Sequence, residues 1–225
     1  EGFYRVEGVF ERTGERSKVV VKFANGQRKE IERNGTPYTR LTDYIGQFPV
    51  VMIAPDDIAL VQDGSEERRR FLDATLSQIS PDYLQHLLLY NALLKQRNAL
   101  LKYFSEQRRF DAALLEAIDR QMPAPAAAVS EKRRTFVQAF APVFREIYAA
   151  IAGDGEPVTV AFEPGSNSDD FAAVLAANLD RDRALERTSA GPHRDDLALA
   201  LNGYPVKKYA SQGQLKSFLL ALRLA

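Results

Sequence analysis

The chain has 225 residues, 45% of them apolar, and its 30 basic side chains balance 30 acidic ones, so its net charge is zero. That length and apolar content allow a sizeable core, while neutrality gives no bulk attraction to nucleic acid or to a membrane surface. The absence of cysteine excludes a disulfide framework and a thiolate metal site, and no apolar run reaches the roughly 20 residues of a membrane helix, so no membrane partner is expected.

In chain order, residues 3–11 alternate, with Tyr4, Val6 and Phe10 on one face, and Thr13–Gly14 reads as a turn. Val19–Ala24 is rich in β-formers, and Asn25–Gly26 predicts a hairpin into Gln27–Arg33. A short helix over Leu41–Ile45 and a buried strand over Phe48–Ala54 are expected next. From Gly64 the periodicity is helical for nearly ninety residues. Ser65 is the expected cap of the first helix, Pro81 the start of the second, residues 108–121 the third, and Ser130 the start of a fourth carrying Phe136, Phe140, Phe144 and Ile147. Met122–Ala128, with two prolines, reads as a linker. A strand over Val158–Phe162, a polar loop over 163–168 and a helix over Asp169–Leu179, extended by Asp180–Arg187, follow. Leu197–Leu201 and Tyr204–Tyr209 form a second expected hairpin around Asn202–Gly203.

That hairpin delivers the chain to Ser211, Gln212, Gly213, Gln214, Leu215, Lys216 and Ser217. Ser211 has the character of an N-cap, and Gln214 stands three residues on, the spacing of a capping box. Gly213 falls in the first turn, where glycine costs about 1 kcal/mol against alanine and no cap needs it; its use is close approach by another backbone or by a ligand. Free N–H groups at a helix start, with a hydroxyl, two amides and Lys216, suit a phosphate, although a capped core helix is the commoner meaning of the same residues. Residues 197–225 carry four basic side chains and no acidic one, a local positive island.

Other groups carry weaker signals. Asp56 and Asp57 follow an apolar run, as Mg-binding acids do, but acids there are commonly turn residues. His193 with Asp195 and Asp196 has no second histidine nearby in sequence, so Gly191–Asp196 reads better as a salt-bridged turn than as a metal site. Arg68, Arg69 and Arg70 cannot share one helix face, and with Lys95, Arg97, Lys102, Arg108 and Arg109 they form a candidate DNA-facing stripe. There is no phosphate loop, no nucleophile elbow and no paired-histidine motif, so no catalytic residue and no metal ligand is assigned.

Three blocks together resemble the RecF family, bacterial recombination-mediator ATPases of the ABC and SMC-like class. They are Ala54–Asp57 running on to Glu66–Asp73, then Tyr90–Lys102, then Gly191–Asp196 leading to Ala210–Ser217. The resemblance implies an α/β fold: part of an ATPase head with an antiparallel β subdomain (1–63), an inserted all-helical arm (64–155), and a second head part bearing the ABC signature (156–225). The phosphate loop is then expected before Glu1 and the Walker B acid after Ala225, which fits a chain that opens without methionine and stops inside a helical pattern. Ser211, Gln212, Gly213, Gln214 and Lys216 would be the signature that meets the γ-phosphate of ATP on a partner subunit. Asp56, Asp57 and Arg194 would be coupling residues, and no glutamine stands at the end of the pre-arm strand, where ABC proteins sense nucleotide. The resemblance further implies ATP and Mg2+ in the complete protein and no bound cofactor in these 225 residues, which alone should be inactive. It also implies weak ATPase activity, ATP-dependent homodimers, single- and double-stranded or gapped DNA, RecR and RecO as partners, the SOS response, and a bacterial cytoplasmic setting. A helical interaction or dimerisation module without a nucleotide role is the alternative.

Overall fold

The structure is a computed structural model that describes residues 2–153, 155–166, 168 and 170–225; Asp169, the expected start of a helix, lies outside them. The chain forms two compact units, one up to Pro49 and the other Val50–Ala225.

In the first unit, β1 (Phe3–Arg12), β2 (Glu15–Ala24), β3 (Glu30–Arg33) and β4 (Thr36–Pro37) form an antiparallel sheet in that order. Val19, Val20 and Ile31 are buried on it. Thr13–Gly14 and Asn34–Gly35 make the tight turns, each pair with positive φ as the right-handed strand twist requires. Asn25–Gly26 also turns the chain, with the Gln27 N–H donating to the Ala24 carbonyl at 2.9 Å, but β2–β3 pairing stops at Lys22 opposite Glu30, leaving a wide loop, and the Asn25 N–H donates to the Gly2 carbonyl at 2.7 Å. Leu41–Asp43 is a single 3-10 turn.

In the second unit the expected strand over Phe48–Ala54 is absent. Val50, Val51 and Met52 form no strand and are 65–72% exposed, and among the described residues no strand pairs with them. A 3-10 turn (Pro55–Ile58) and α1 (Ala59–Gln62) lead into α2 (Ser65–Ile79), whose N-cap is Gly64 rather than Ser65. Next come α3 (Pro81–Glu106), capped by Ser80, and α4 (Ala112–Asp119), capped by Asp111. The expected linker is instead the first part of α5 (Pro123–Ala152), 30 residues and roughly 45 Å long. Pro123 and Pro125 fall in the first turn, where N–H groups have no intrahelical acceptor to lose, and the alanines between and after them are the best helix formers. Ser130 is therefore an interior residue of that helix.

The rest is β5 (Val158–Glu163), α6 (Phe171–Ala177), α7 (Leu179–Leu185), β6 (Asp196–Leu201), β7 (Tyr204–Pro205), α8 (Val206–Tyr209) and α9 (Gln212–Leu224). The strands form an antiparallel sheet in the order β5-β6-β7. The second hairpin is shorter than expected: Pro205 has no N–H to continue the ladder, and Val206, 1% exposed, turns inward to begin α8. Leu72, Val137, Phe144, Val160, Leu199 and Phe218 belong to one apolar cluster, so α2, α5 and α9 share a core with the sheet. Both ends of the helical segment 64–155 lie inside this unit. Among the described residues no helix is long and apolar enough to cross a membrane.

Candidate functional site

The three sequence blocks meet at one place, the segment Thr188–Asp196. From α2, Arg68 forks onto Asp196 at 2.6 and 2.9 Å, and Arg69 donates to the Asp195 carbonyl at 2.8 Å. From α3, Tyr90 bonds His193 Nδ1 at 2.7 Å, Asn98 accepts from the Thr188 N–H at 2.8 Å, and Arg97 donates to Thr188 Oγ1 at 3.0 Å. Arg97 is fully buried and also binds Asp119 and Asp182.

The expected DNA stripe is corrected accordingly. Arg97 has no exposed surface to offer a phosphate backbone. Arg68 and Arg69 are committed to the 195–196 turn, and Arg70 pairs with Glu66 and Glu67 on its own helix. Lys95, Lys102, Arg108 and Arg109 are exposed; Lys102 lies 3.8 Å from Glu106.

Two partners of this hub escaped sequence reading. Arg133, on α5 and 2% exposed, donates to the Pro192 carbonyl (2.6 Å), Asp195 (2.7 Å), Asp73 (2.7 Å) and the Tyr83 oxygen (3.0 Å), while the Tyr83 hydroxyl itself donates to Asp73. Its signal was present: Arg133 stands on the same helix face as Val137, Phe140 and Phe144, an ion on an apolar stripe. Gly165 donates its N–H to Asp195 at 2.7 Å, a contact between distant loops that sequence spacing does not encode. Gly191 has φ +127°, and a Cβ there would meet the Phe171 ring at 2.7 Å. A Cβ on Gly165 would lie 2.2 Å from the Gly191 carbonyl, so both glycines are required by close packing.

His193 donates from Nε2 to the Thr188 carbonyl at 3.0 Å, which leaves Nδ1 to accept from the Tyr90 hydroxyl. Burial brings its pKa down to about 4, aided by Arg194 and Arg69 and opposed by the Thr188 carbonyl, so the imidazole is neutral. No group of three or more acidic or histidine side chains suitable for a metal occurs among the described residues. Of the expected coupling residues, Asp57 binds the Ala54 N–H at 2.9 Å and Arg223 at 2.8 Å, closing a 3-10 turn and holding the last turn of α9. Asp56 and Arg194 are exposed.

From this hub β6, β7 and α8 carry the chain to the start of α9. Ser211 is the N-cap: its Oγ accepts from the Gln214 N–H at 3.3 Å, and the Gln214 Oε1 accepts from the Ser211 N–H at 2.7 Å. The box uses those two donors and leaves the N–H groups of Gln212 and Gly213 at an exposed helix start, beside exposed Lys216. A Cβ on Gly213 would meet only Ser211 Oγ at 4.0 Å, so no group within the chain accounts for the glycine. Gly213→Ala is expected to raise the unfolding free energy by about 0.4–1 kcal/mol, read as a higher denaturant midpoint at unchanged slope. A loss of stability would mean that the open space is not there.

The fold defines a class: a mixed α/β segment of the kind found in solved RecF structures, with helices inserted between its β parts and a capped, solvent-open helix start after the last hairpin. Over its whole length the chain is similar to proteins of the RecF family. It is 39% identical over 225 residues to the DNA replication and repair protein RecF of Flavobacterium johnsoniae, covering 100% of this chain and 63% of that protein. The protein of the same name from Porphyromonas gingivalis is 37% identical over 226 residues, with 60% of it covered. A solved structure described as the recombination mediator protein RecF with ATP in the RecFOR pathway superposes with a TM-score of 0.91 at 26% identity, over 100% of this chain and 62% of that one. No protein-family model matches the chain. The chain thus spans about three fifths of the length of the curated relatives it matches.

Proposed function

We propose that these 225 residues supply the signature half of a composite ATP site in a RecF-type DNA-binding protein of replication and repair, acting in gap repair and recombinase loading in the bacterial cytoplasm. The observation that carries this is the start of α9. It is capped by its own side chains, keeps the N–H groups of Gln212 and Gly213 open to solvent, and has a glycine whose free space nothing in the chain fills. Those N–H groups, the Ser211 hydroxyl, the helix dipole and Lys216 suit the growing negative charge on a transferring γ-phosphate. The nucleotide itself would be held by a second subunit, so that ATP joins two copies across this surface, and Mg2+ would arrive with it rather than be held by the described residues. DNA contacts would fall on the exposed cations Lys95, Lys102, Arg108 and Arg109, and RecR and RecO are the partners that this reading brings with it.

The test joins these residues to the remaining part of a full-length RecF-type protein and replaces Ser211 by Arg. ATP-induced dimerisation and hydrolysis should fall by at least about tenfold, because the longer cation displaces the hydroxyl and fills the open space. Survival of both would overturn the reading. Gly213→Ala should weaken the same association while stabilising the fold, a divergence that a purely structural glycine would not produce.

A further inference from the structure

The capping box at α9 does not stand alone. The Gln214 carboxamide, whose Oε1 takes the Ser211 N–H, donates from Nε2 to Glu156 Oε1 at 2.5 Å, and the other oxygen of Glu156 accepts from the Tyr148 hydroxyl at 2.9 Å. Tyr148 is 1% exposed in the last turns of α5, and its ring packs on Phe218 of α9 with centroids 5.8 Å apart. Glu156 lies between α5 and β5, 58 residues before Gln214, and is half-buried. A free glutamine amide can turn over and exchange its donor and acceptor ends. Here the carboxylate can only accept, so it holds Nε2 toward itself and forces Oε1 onto the Ser211 N–H. If the amide turned, Gln214 would present N–H groups to Ser211 N, and the cap would break. That orientation decides which donors of the helix start are used internally and which remain for a ligand.

A carboxylate is also costly in that position. Residues 197–225 carry no acidic side chain, so Glu156 places a negative charge beside an otherwise positive stretch that suits an anion. An acid in such surroundings is explained by what it orders, not by attraction for the ligand.

We propose that Glu156 is a positioning residue for the composite ATP site, acting through Gln214 to fix the donor pattern of the α9 start and anchored to the arm helix α5 by Tyr148. This rests on the reading of that helix start as a phosphate site. Glu156 does not touch the nucleotide in this scheme. Its effect therefore falls on turnover and not on the affinity supplied by the other subunit.

The experiment uses the full-length RecF-type protein carrying these residues, with Glu156→Ala, Glu156→Gln and Ser211→Arg made separately and folding checked by circular dichroism. Glu156→Ala should lower kcat for ATP hydrolysis about tenfold with the KM for ATP within about twofold, and should speed hydrogen exchange of the Gln214 side-chain amide seen by NMR. Glu156→Gln can accept from Nε2 in only one of its two amide orientations, so it should restore the cap in part and lower kcat by about threefold, less than Glu156→Ala. A kcat unchanged or raised by Glu156→Ala, alongside loss of turnover in Ser211→Arg, overturns the positioning role and leaves the phosphate site standing. Turnover intact in Ser211→Arg overturns the site and this inference with it. Equal losses in Glu156→Ala and Glu156→Gln would also overturn it, since an amide that still accepts from Nε2 in one orientation should restore part of the cap.

Discussion

Arg133→Ala lowers the unfolding free energy of the Val50–Ala225 unit by about 3–5 kcal/mol, the expected cost of removing one partner from a buried ion cluster. The guanidinium is 2% exposed and contacts Asp195, itself 1% exposed, as well as Asp73, the Pro192 carbonyl and Tyr83. Removing it leaves Asp195 with the Gly165 N–H as its bond donor and with no counter-charge in direct contact. Burial already pushes the Asp195 carboxyl above its ordinary range even against Arg133 and that N–H, so without the arginine it takes up a proton more readily. Because whole domains are stable by only about 5–15 kcal/mol, the variant should sit near its unfolding limit. Arg133→Lys keeps the charge but cannot span four acceptors held in fork geometry, and should lose about half as much. Urea unfolding of the 225-residue chain measures both. A loss below about 1 kcal/mol for the alanine variant would show that the cluster is not closed as described.

Acidification provides the second large effect. His193 titrates near 4 in the folded chain against an ordinary value of 6.5, so the fold favours its neutral form. A depressed folded pKa means that the contribution is complete above about pH 6.5 and is lost as pH falls toward 4, because the unfolded chain binds the proton first. The difference corresponds to at most about 3 kcal/mol. The physical event is protonation of Nδ1, which accepts from the Tyr90 hydroxyl; once it carries a proton, that hydroxyl must turn to accept, and an imidazolium is left in a buried place beside Arg69 and Arg194. His193→Gln removes the titration. Stability of the parent should therefore fall more steeply than that of the variant between pH 6.5 and 4, read from unfolding midpoints at several pH values. Parallel slopes would contradict a neutral, buried imidazole.

The hub also explains why sequence reading succeeded in some places and failed in others. Ser211 and Gln214 were legible because a capping box is a contact between residues three apart, and local spacing determines it. β1, β2 and β3, the proline-started α3 and β5–β6 were legible for the same reason: alternation, turn residues and caps act over a few positions. Pro123 and Pro125 misled because proline both breaks and begins helices, and only the packing of this first part of α5 against α3 and α6 decides between these. The apolar run at Val50–Ile53 misled because a buried strand needs neighbours, and a sequence does not state which strand lies beside it. Arg68, Arg69 and Arg97 looked like a surface stripe because helical spacing gives a direction but not what stands opposite. The acceptors that draw them inward, Asp196, Asp195 and Asp182, lie 85 to 128 residues away.

The sequence by itself therefore determined the β–helical–β order, the three blocks that resemble RecF, and the capped helix start at Ser211. Those rest on patterns a few residues long. Only the tertiary structure decided that the blocks converge on Thr188–Asp196, that Arg97 and Arg133 are interior ions, and that Glu156 holds the amide on which the Ser211 cap depends. These include pairings of charges and polar groups across 58, 91 and 128 residues, and the chain must be folded before burial makes any of them strong.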